Sequence, residues 1–217
     1  MFITLEGPEG GGKSTQAARL AEWLRAQGFD VLALREPGGT AIGDRVRAIL
    51  MDRVNSGMDA RAELLLFCAS RAQMMSEKVR PHLASGGVVI CDRFADSSLA
   101  YQGYGRGLEI GILRALLAFA TFGVKPDLTL CLDIDAEAGL RRRLANQAEW
   151  NRLDAEALEF HRRVRAGYLE LAAAEPGRWR VIDADRPADE VEADIRAAVA
   201  AALNPRELPG EPDPAGA

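Results

Sequence analysis

The run Gly7-Pro8-Glu9-Gly10-Gly11-Gly12-Lys13-Ser14-Thr15 constrains this chain more than any other feature of it. It fits the spacing G-x-x-x-x-G-K-[ST]. It also lies between a short apolar run, Phe2-Ile3-Thr4-Leu5-Glu6, and a stretch where Ala17, Leu20, Ala21 and Leu24 recur at helical intervals. A strand that feeds a glycine loop and then a helix aims backbone amides and a positive helix end at an anion. Glycines let the backbone pass close around a phosphate, the Lys13 ammonium can follow charge onto terminal phosphates, and the Ser14 hydroxyl can ligate Mg²⁺. A flexible turn that happens to contain Lys and Ser would not explain the flanking strand and helix. Residues 7–15 are therefore read as a loop for nucleoside triphosphate.

The remaining pattern extends this unit into an α/β chain. Further short apolar runs at 30–34, 86–91, 128–132 and 179–182 alternate with helical stretches at about 41–52, 60–84, 109–121, 135–146, 154–174 and 187–203. Continuously apolar strands alternating with helices predict one parallel sheet covered on both faces, with ligands beyond the carboxyl ends of its strands. One domain over 1–203 follows. The tail at 204–217 carries four prolines and two glycines and reads as disordered.

Charge and composition exclude several classes. The formal net charge is −5, which argues against nucleic acid as a partner, since that needs a broad basic face. Cys68, Cys91 and Cys131 are far apart in apolar runs and read as buried thiols, and with two histidines a protein-ligated zinc site is not expected. No apolar run is long enough to span a bilayer, and the first residues lack a basic start and a cleavage site. A cytoplasmic protein is expected.

Several separated motifs sharpen the function. They are R-E-P-G-G-T at 35–40, L-L-F-C-A-S-R at 65–71, C-D-R-F at 91–94, D-S-S-L-A-Y-Q-G at 96–103, P-D-L-T-L at 126–130 and N-R-L-D at 151–154. In this order, and with the phosphate loop, they resemble the bacterial thymidylate kinase family over nearly all of residues 1–203. The resemblance implies a nucleoside-monophosphate-kinase-like P-loop fold: three layers, a parallel five-stranded sheet flanked by helices, and a small arginine-bearing lid at about 141–154. It implies transfer of the ATP γ-phosphoryl group to dTMP, with Mg²⁺.

Asp92 ends the third strand and is expected to hold Mg²⁺-bound water beside Ser14, while Arg93 can fork onto the acceptor phosphate. Phe67 and Arg71 are i and i+4 on one helix and share a face. By resemblance, Phe67 stacks on thymine and Arg71 bonds its O4 edge. Ser97, Ser98, Tyr101 and Gln102 match positions around base and sugar, with Tyr101 excluding a ribose 2′-hydroxyl. Glu36 and Arg47 match positions around the monophosphate. The residues expected at ATP are Gly7, Pro8, Glu9, Gly10, Gly11, Gly12, Lys13, Ser14 and Thr15.

Some family members carry the transition-state arginine in the phosphate loop and others in the lid. Glu9 occupies the loop position here, so the resemblance implies the lid type. Arg142 and Arg152 are expected to join Lys13 and Arg93 as catalytic residues, whereas Arg141 and Arg143 read as a solvated helix face. The family pattern D-R-x-E is altered by Asn151 and Asp154. A homodimer is implied, with the face from Leu64-Leu65-Leu66 to Met74-Met75 as its surface. Two rivals remain: a deoxynucleoside kinase, which would need a general base at a neutral hydroxyl, and a P-loop ATPase switch that binds a partner protein.

Overall fold

The computed structural model describes residues 1–145 and 150–203. The expected tail at 204–217 and lid positions 146–149 lie outside the described residues. In chain order the elements are β1 (Phe2–Glu6), α1 (Lys13–Ala26), β2 (Val31–Arg35), α2 (Ala41–Met51), α3 (Ala60–Met74), α4 (Arg80–Ala84) and β3 (Val88–Asp92). They continue with α5 (Ala95–Ser98), α6 (Ile110–Ala120), β4 (Leu128–Asp133), α7 (Ala136–Ala145), α8 (Leu158–Ala174), β5 (Trp179–Asp183) and α9 (Ala188–Ala202). The strands form one sheet in the order β2-β3-β1-β4-β5, and all pairs are parallel.

Alternation along the buried strands divides the core. On one face Ile3, Leu5, Ile90, Leu130 and Leu132 pack with Leu20 and Leu24 of α1 and with Val191, Ile195 and Val199 of α9. On the other, Phe2, Val89 and Cys91 meet Met74, Met75, Val79 and Phe94, while Cys131 meets side chains of α3, α6 and α8. Each fully buried aliphatic side chain contributes about 1.5–3 kcal/mol of hydrophobic free energy. The three cysteines are free and buried.

Two departures from the sequence pattern have physical causes. The stretch expected as one helix over 60–84 contains a π-helical turn at Met75–Val79 between α3 and α4. Met74 just before this wider turn, and Met75 and Val79 within it, lie wholly in the core. Leu64 is buried too, whereas Leu65 is more than half exposed, so the run from Leu64 to Met75 is open only in part. A second π-helical stretch, Leu99–Gly105, continues α5 and carries Tyr101 and Gln102 inward.

The register places the site. Leu5 of β1 pairs with Asp92 of β3, so the end of β3 stands beside the start of the phosphate loop. Helix α7 closes on that loop backbone to backbone. A Cβ added at Gly139 would collide with the Glu9 carbonyl, and one added at Gly10, whose φ is 75°, with the Gly139 carbonyl. Replacing a helical glycine by alanine ordinarily gains about 1 kcal/mol. Gly139→Ala is expected to lower stability instead, by about 1–3 kcal/mol, as overpacking does. Urea unfolding checks the sign; a stabilised variant would mean that α7 does not bear on the loop.

Candidate active site

A cleft of about 270 Å³ opens at the carboxyl ends of β1, β2 and β3. Its floor on one side is the phosphate loop, where Gly12, with φ 81°, caps α1 and lets the chain turn into the helix at Lys13. The Lys13 ammonium folds back to donate to the Pro8 carbonyl at 2.6 Å. Burial and the neighbouring Arg93 bring it down to about 8, against the pull of Glu9, Asp92 and Glu6. Ser14 Oγ donates to Asp92 Oδ2 at 2.5 Å across the loop–β3 junction. A hydroxyl and a carboxylate in contact are a hard-oxygen pair of the kind Mg²⁺ accepts alongside phosphate and water.

Arg93 spans the cleft. Its backbone is left-handed, with φ 72°, a conformation that costs about 1–3 kcal/mol for a side chain of this kind. The turn is held because Arg93 N donates to the Leu5 carbonyl at 2.9 Å and Phe94 N to Glu6 Oε1 at 2.8 Å. The guanidinium then reaches the Gly7 carbonyl at 3.1 Å, Tyr168 Oη at 3.1 Å and Glu9 Oε1 at 2.8 Å, lying over the Tyr101 ring. Glu6 itself is fully buried and accepts from Ser97 and Tyr168 as well. Burial, reinforced by Asp96, pushes its carboxyl up to about 7. Glu9 behaves oppositely. Burial alone would raise it, but Arg93, Lys13 and Arg143 outweigh that, and the Tyr101 hydroxyl donates to it at 2.8 Å, so it sits at about 2.

The other side of the cleft is built from α3 and the helix beginning at Ala95. Phe67 and Arg71 both line it, one turn apart on α3. Arg71 is 1% exposed and forks onto Glu36, with Nε 2.9 Å and Nη2 2.5 Å from Oε2. It also donates to Ser98 Oγ at 3.1 Å and to the Phe94 carbonyl at 3.0 Å. Burial would lower the guanidinium, but Glu36 outweighs it and raises it, while burial pushes the Glu36 carboxyl up despite the pull of Arg71. Arg47 donates to the Pro37 carbonyl at 3.0 Å, and Ser97, Tyr101 and Gln102 complete the wall.

The thymidylate kinase family model matches residues 5–195. This chain belongs to the thymidylate kinase family. It is 52% identical over 210 residues to the thymidylate kinase of Roseiflexus sp. strain RS-1, covering 92% of this chain and 93% of that one. To the Deinococcus radiodurans thymidylate kinase it is 54% identical over 199 residues, 92% of this chain and 96% of the relative. The crystal structure of the thymidylate kinase from Ehrlichia chaffeensis superposes with a TM-score of 0.75 at 34% identity, covering 92% of this chain and 98% of that chain. The five-stranded parallel sheet flanked by helices is the P-loop nucleoside-monophosphate-kinase-like fold of this family.

Among the residues that the thymidylate kinase motifs single out, the structure brings most to one cleft and separates others. Gly7, Pro8 and Gly11 stay behind its surface as buried loop backbone. Arg142 and Arg152, expected as catalytic lid residues, do not line the cleft. Arg142 turns to the segment after the carboxyl end of β5, donating to the Ala184 carbonyl at 2.6 Å and Asp185 Oδ1 at 2.8 Å. Arg152 is 4% exposed, bound to the Leu50 carbonyl at 2.9 Å and paired with Glu63 at 2.5 Å. The arginine of α7 that does line the cleft is Arg143, expected on a solvated face; its Nε pairs with Asp154 at 2.5 Å. Arg141 is exposed and pairs with Glu137 one turn earlier. The signal for Arg143 was Gly139, four residues before it, because the α7 face that touches the loop carries both.

The altered N-R-L-D motif is locally complete. Asn151 Oδ1 accepts from the amides of Leu153 and Asp154, and Asp154 Oδ2 accepts from the Asn151 amide at 2.9 Å. A neutral asparagine caps this turn as an aspartate would. Glu6, Glu63, Met51 and Tyr168 were not singled out as site residues in the sequence, since each resembles ordinary strand or helix content.

The low Glu9 carboxyl makes a pH-dependent prediction. Its ordinary value is 4.5 and its folded value about 2, so its stabilisation is present above 4.5 and is lost as pH falls through 2. At about 1.4 kcal/mol per unit this is on the order of 3 kcal/mol. The unfolding free energy of Glu9→Gln is expected to fall below wild type by that order at pH 7 and to converge with it near pH 2. A pH-independent difference would remove the assignment.

Proposed function

We propose that this chain transfers the γ-phosphoryl group of ATP to a phosphate oxygen of dTMP, giving dTDP and ADP, with the cleft as the site of both. The observation that carries this is the Arg93 guanidinium. It is bonded at once to the phosphate loop, through Gly7 and Glu9, and to the opposite wall at Tyr101 and Tyr168. A cation placed between a triphosphate loop and a pocket with an aromatic floor suits a phosphorylated acceptor, because two anions must be brought together. The acceptor phosphate is already ionised, so no strong general base is required.

On the donor side, the amides of the phosphate loop and the α1 N-terminus receive the triphosphate, and Lys13 exchanges the Pro8 carbonyl for phosphate oxygens. Ser14 and Asp92 would hold Mg²⁺ with the nucleotide, the latter through water; the ion supplies neutralisation of the β- and γ-phosphates. On the acceptor side, Phe67 stacks on the base, Arg71 and Ser98 read its edge, Gln102 lies beside base and sugar, and Arg93 binds the monophosphate with Glu36 and Arg47 nearby. Tyr101, braced by Glu9, closes the space a ribose 2′-hydroxyl would need. Arg143, one helical turn beyond the loop contact at Gly139, takes the transition-state role, rather than Arg142 or Arg152.

No described helix is long and apolar enough to cross a membrane. We place the enzyme in the cytoplasm as a homodimer. The dimer surface is Leu65 of α3 with Ile112 and Phe119 of α6 and the following Phe122, all more than half exposed.

An ADP-release assay across dTMP, dUMP, ribothymidine monophosphate, dCMP and thymidine tests the reaction. Turnover is expected to be highest with dTMP and absent with thymidine. Preference for thymidine would mark a deoxynucleoside kinase, and ADP release indifferent to every acceptor would mark an ATPase switch. Lys13→Ala is expected to abolish turnover. Arg93→Ala should raise the KM for dTMP by roughly tenfold or more, the worth of a charged hydrogen bond. Arg143→Ala should lower kcat by roughly a hundredfold, as loss of one transition-state donor does. Unchanged dTMP affinity in Arg93→Ala would overturn the pocket.

A further inference from the structure

Glu63, near the start of α3, holds a carboxylate that is 0% exposed. Three side chains from two segments end on it. Gln102 Nε2 donates to Oε1 at 2.8 Å, Arg106 donates through Nε at 3.2 Å and Nη2 at 3.0 Å, and Arg152 Nη2 lies 2.5 Å from Oε2. Burial alone would raise this carboxyl, but Arg106, Gln102 and Arg152 outweigh it and hold it below its ordinary value. Arg106 is also paired with Glu156 at 2.7 Å, so two guanidinium groups face two carboxylates.

Two of the partners of Glu63, Gln102 and Arg152, and Glu63's own helix lead to the cleft. Gln102 lines it directly, Phe67 lies one turn from Glu63 on the same helix, and Asn151 and Leu153 flank Arg152. Arg152 does more than neutralise charge. Its Nε donates to the Leu50 carbonyl at 2.9 Å and its amide to the Met51 carbonyl at 3.1 Å, so the 151–154 turn is clamped to the end of α2. Within that turn the Asn151 and Asp154 side chains cap each other's amides. The remaining Asp154 oxygen holds Arg143 at 2.5 Å, and the Glu9 charge on the phosphate loop attracts the same guanidinium.

We propose that Glu63 is a positioning residue of the phosphoryl transfer: through Arg152 it fixes the 151–154 turn, and Asp154 of that turn sets the Arg143 guanidinium at the phosphate loop. The inference rests on the role given to Arg143 above. It explains why an arginine of the N-R-L-D motif is buried away from the reacting groups: it anchors the turn that aims another arginine. It also ties the wall carrying Gln102 to the transition-state cation through one shared carboxylate.

A double-mutant cycle on kcat, at saturating ATP and dTMP, tests it. Glu63→Gln keeps the size of the side chain but removes the negative charge that Arg152 and Arg106 face. It is expected to lower kcat roughly tenfold, a coupling within the range seen for residues in one polar network, with KM for ATP within about twofold of wild type. In the Arg143→Ala background the same substitution is expected to change kcat by less than about twofold, because its target is gone. A purely structural role would lower kcat by the same factor in both backgrounds, and that additive result overturns the proposal, as does wild-type kcat in Glu63→Gln alone. Wild-type kcat in Arg143→Ala would remove both this inference and the role on which it rests; a slow Arg143→Ala with additive Glu63→Gln removes this inference only. If Glu63→Gln does not fold by circular dichroism, Arg152→Lys is taken through the same cycle. It keeps the charge and loses the second arm to Leu50, and the same two outcomes decide.

Discussion

The ion pair between Arg93 and Glu9, 2.8 Å across the cleft, is the interaction around which the site is arranged. Loop, strand end and aromatic wall each contribute one side of it. An enzyme that must hold two polyanions needs several cations in one place, and those cations repel each other when the anions are absent. Glu9 relieves that repulsion: Arg93, Lys13 and Arg143 all act on it, and Tyr101 donates to it. The left-handed backbone at Arg93 is sustained by the buried Glu6 carboxylate, which accepts the next amide.

The same economy recurs outside the phosphate loop. Arg71 with Glu36, Arg152 with Glu63 and Arg178 with Asp96 are pairs in which charge is taken out of water and returned as geometry. Such pairs add little net stability compared with a well-packed apolar substitute, yet removing one partner costs about 3–5 kcal/mol because the other stays buried. They act here to fix where side chains stand. Arg71 cannot drift from the cleft wall while Glu36 takes its Nε and Nη2.

Much of this was legible in the sequence. The five strands, the loop between β1 and α1, and the shared face of Phe67 and Arg71 follow from apolar runs, glycine spacing and helical periodicity, since these depend on neighbours along the chain. The choice among Arg141, Arg142 and Arg143 did not follow. Adjacent helix positions differ by about 100° in direction, so a run of three arginines points three ways. Which one meets the cleft depends on the face of α7 that rests on the loop, and that face is set by the contact of Gly139 with Glu9 and Gly10. In the same way Met74 and Met75, expected on a surface, are core, a consequence of packing against Phe2, Val89 and Cys91 that no local pattern carries.

The chain's own order of residues thus settled the parts it can bring together: a glycine loop, an arginine at a strand end, and an α/β frame to present them. Tertiary structure alone decided which charges face one another, because buried carboxylates such as Glu6 and Glu63 find their partners 91 and 39 residues away, across elements that meet only when the sheet is closed on both faces.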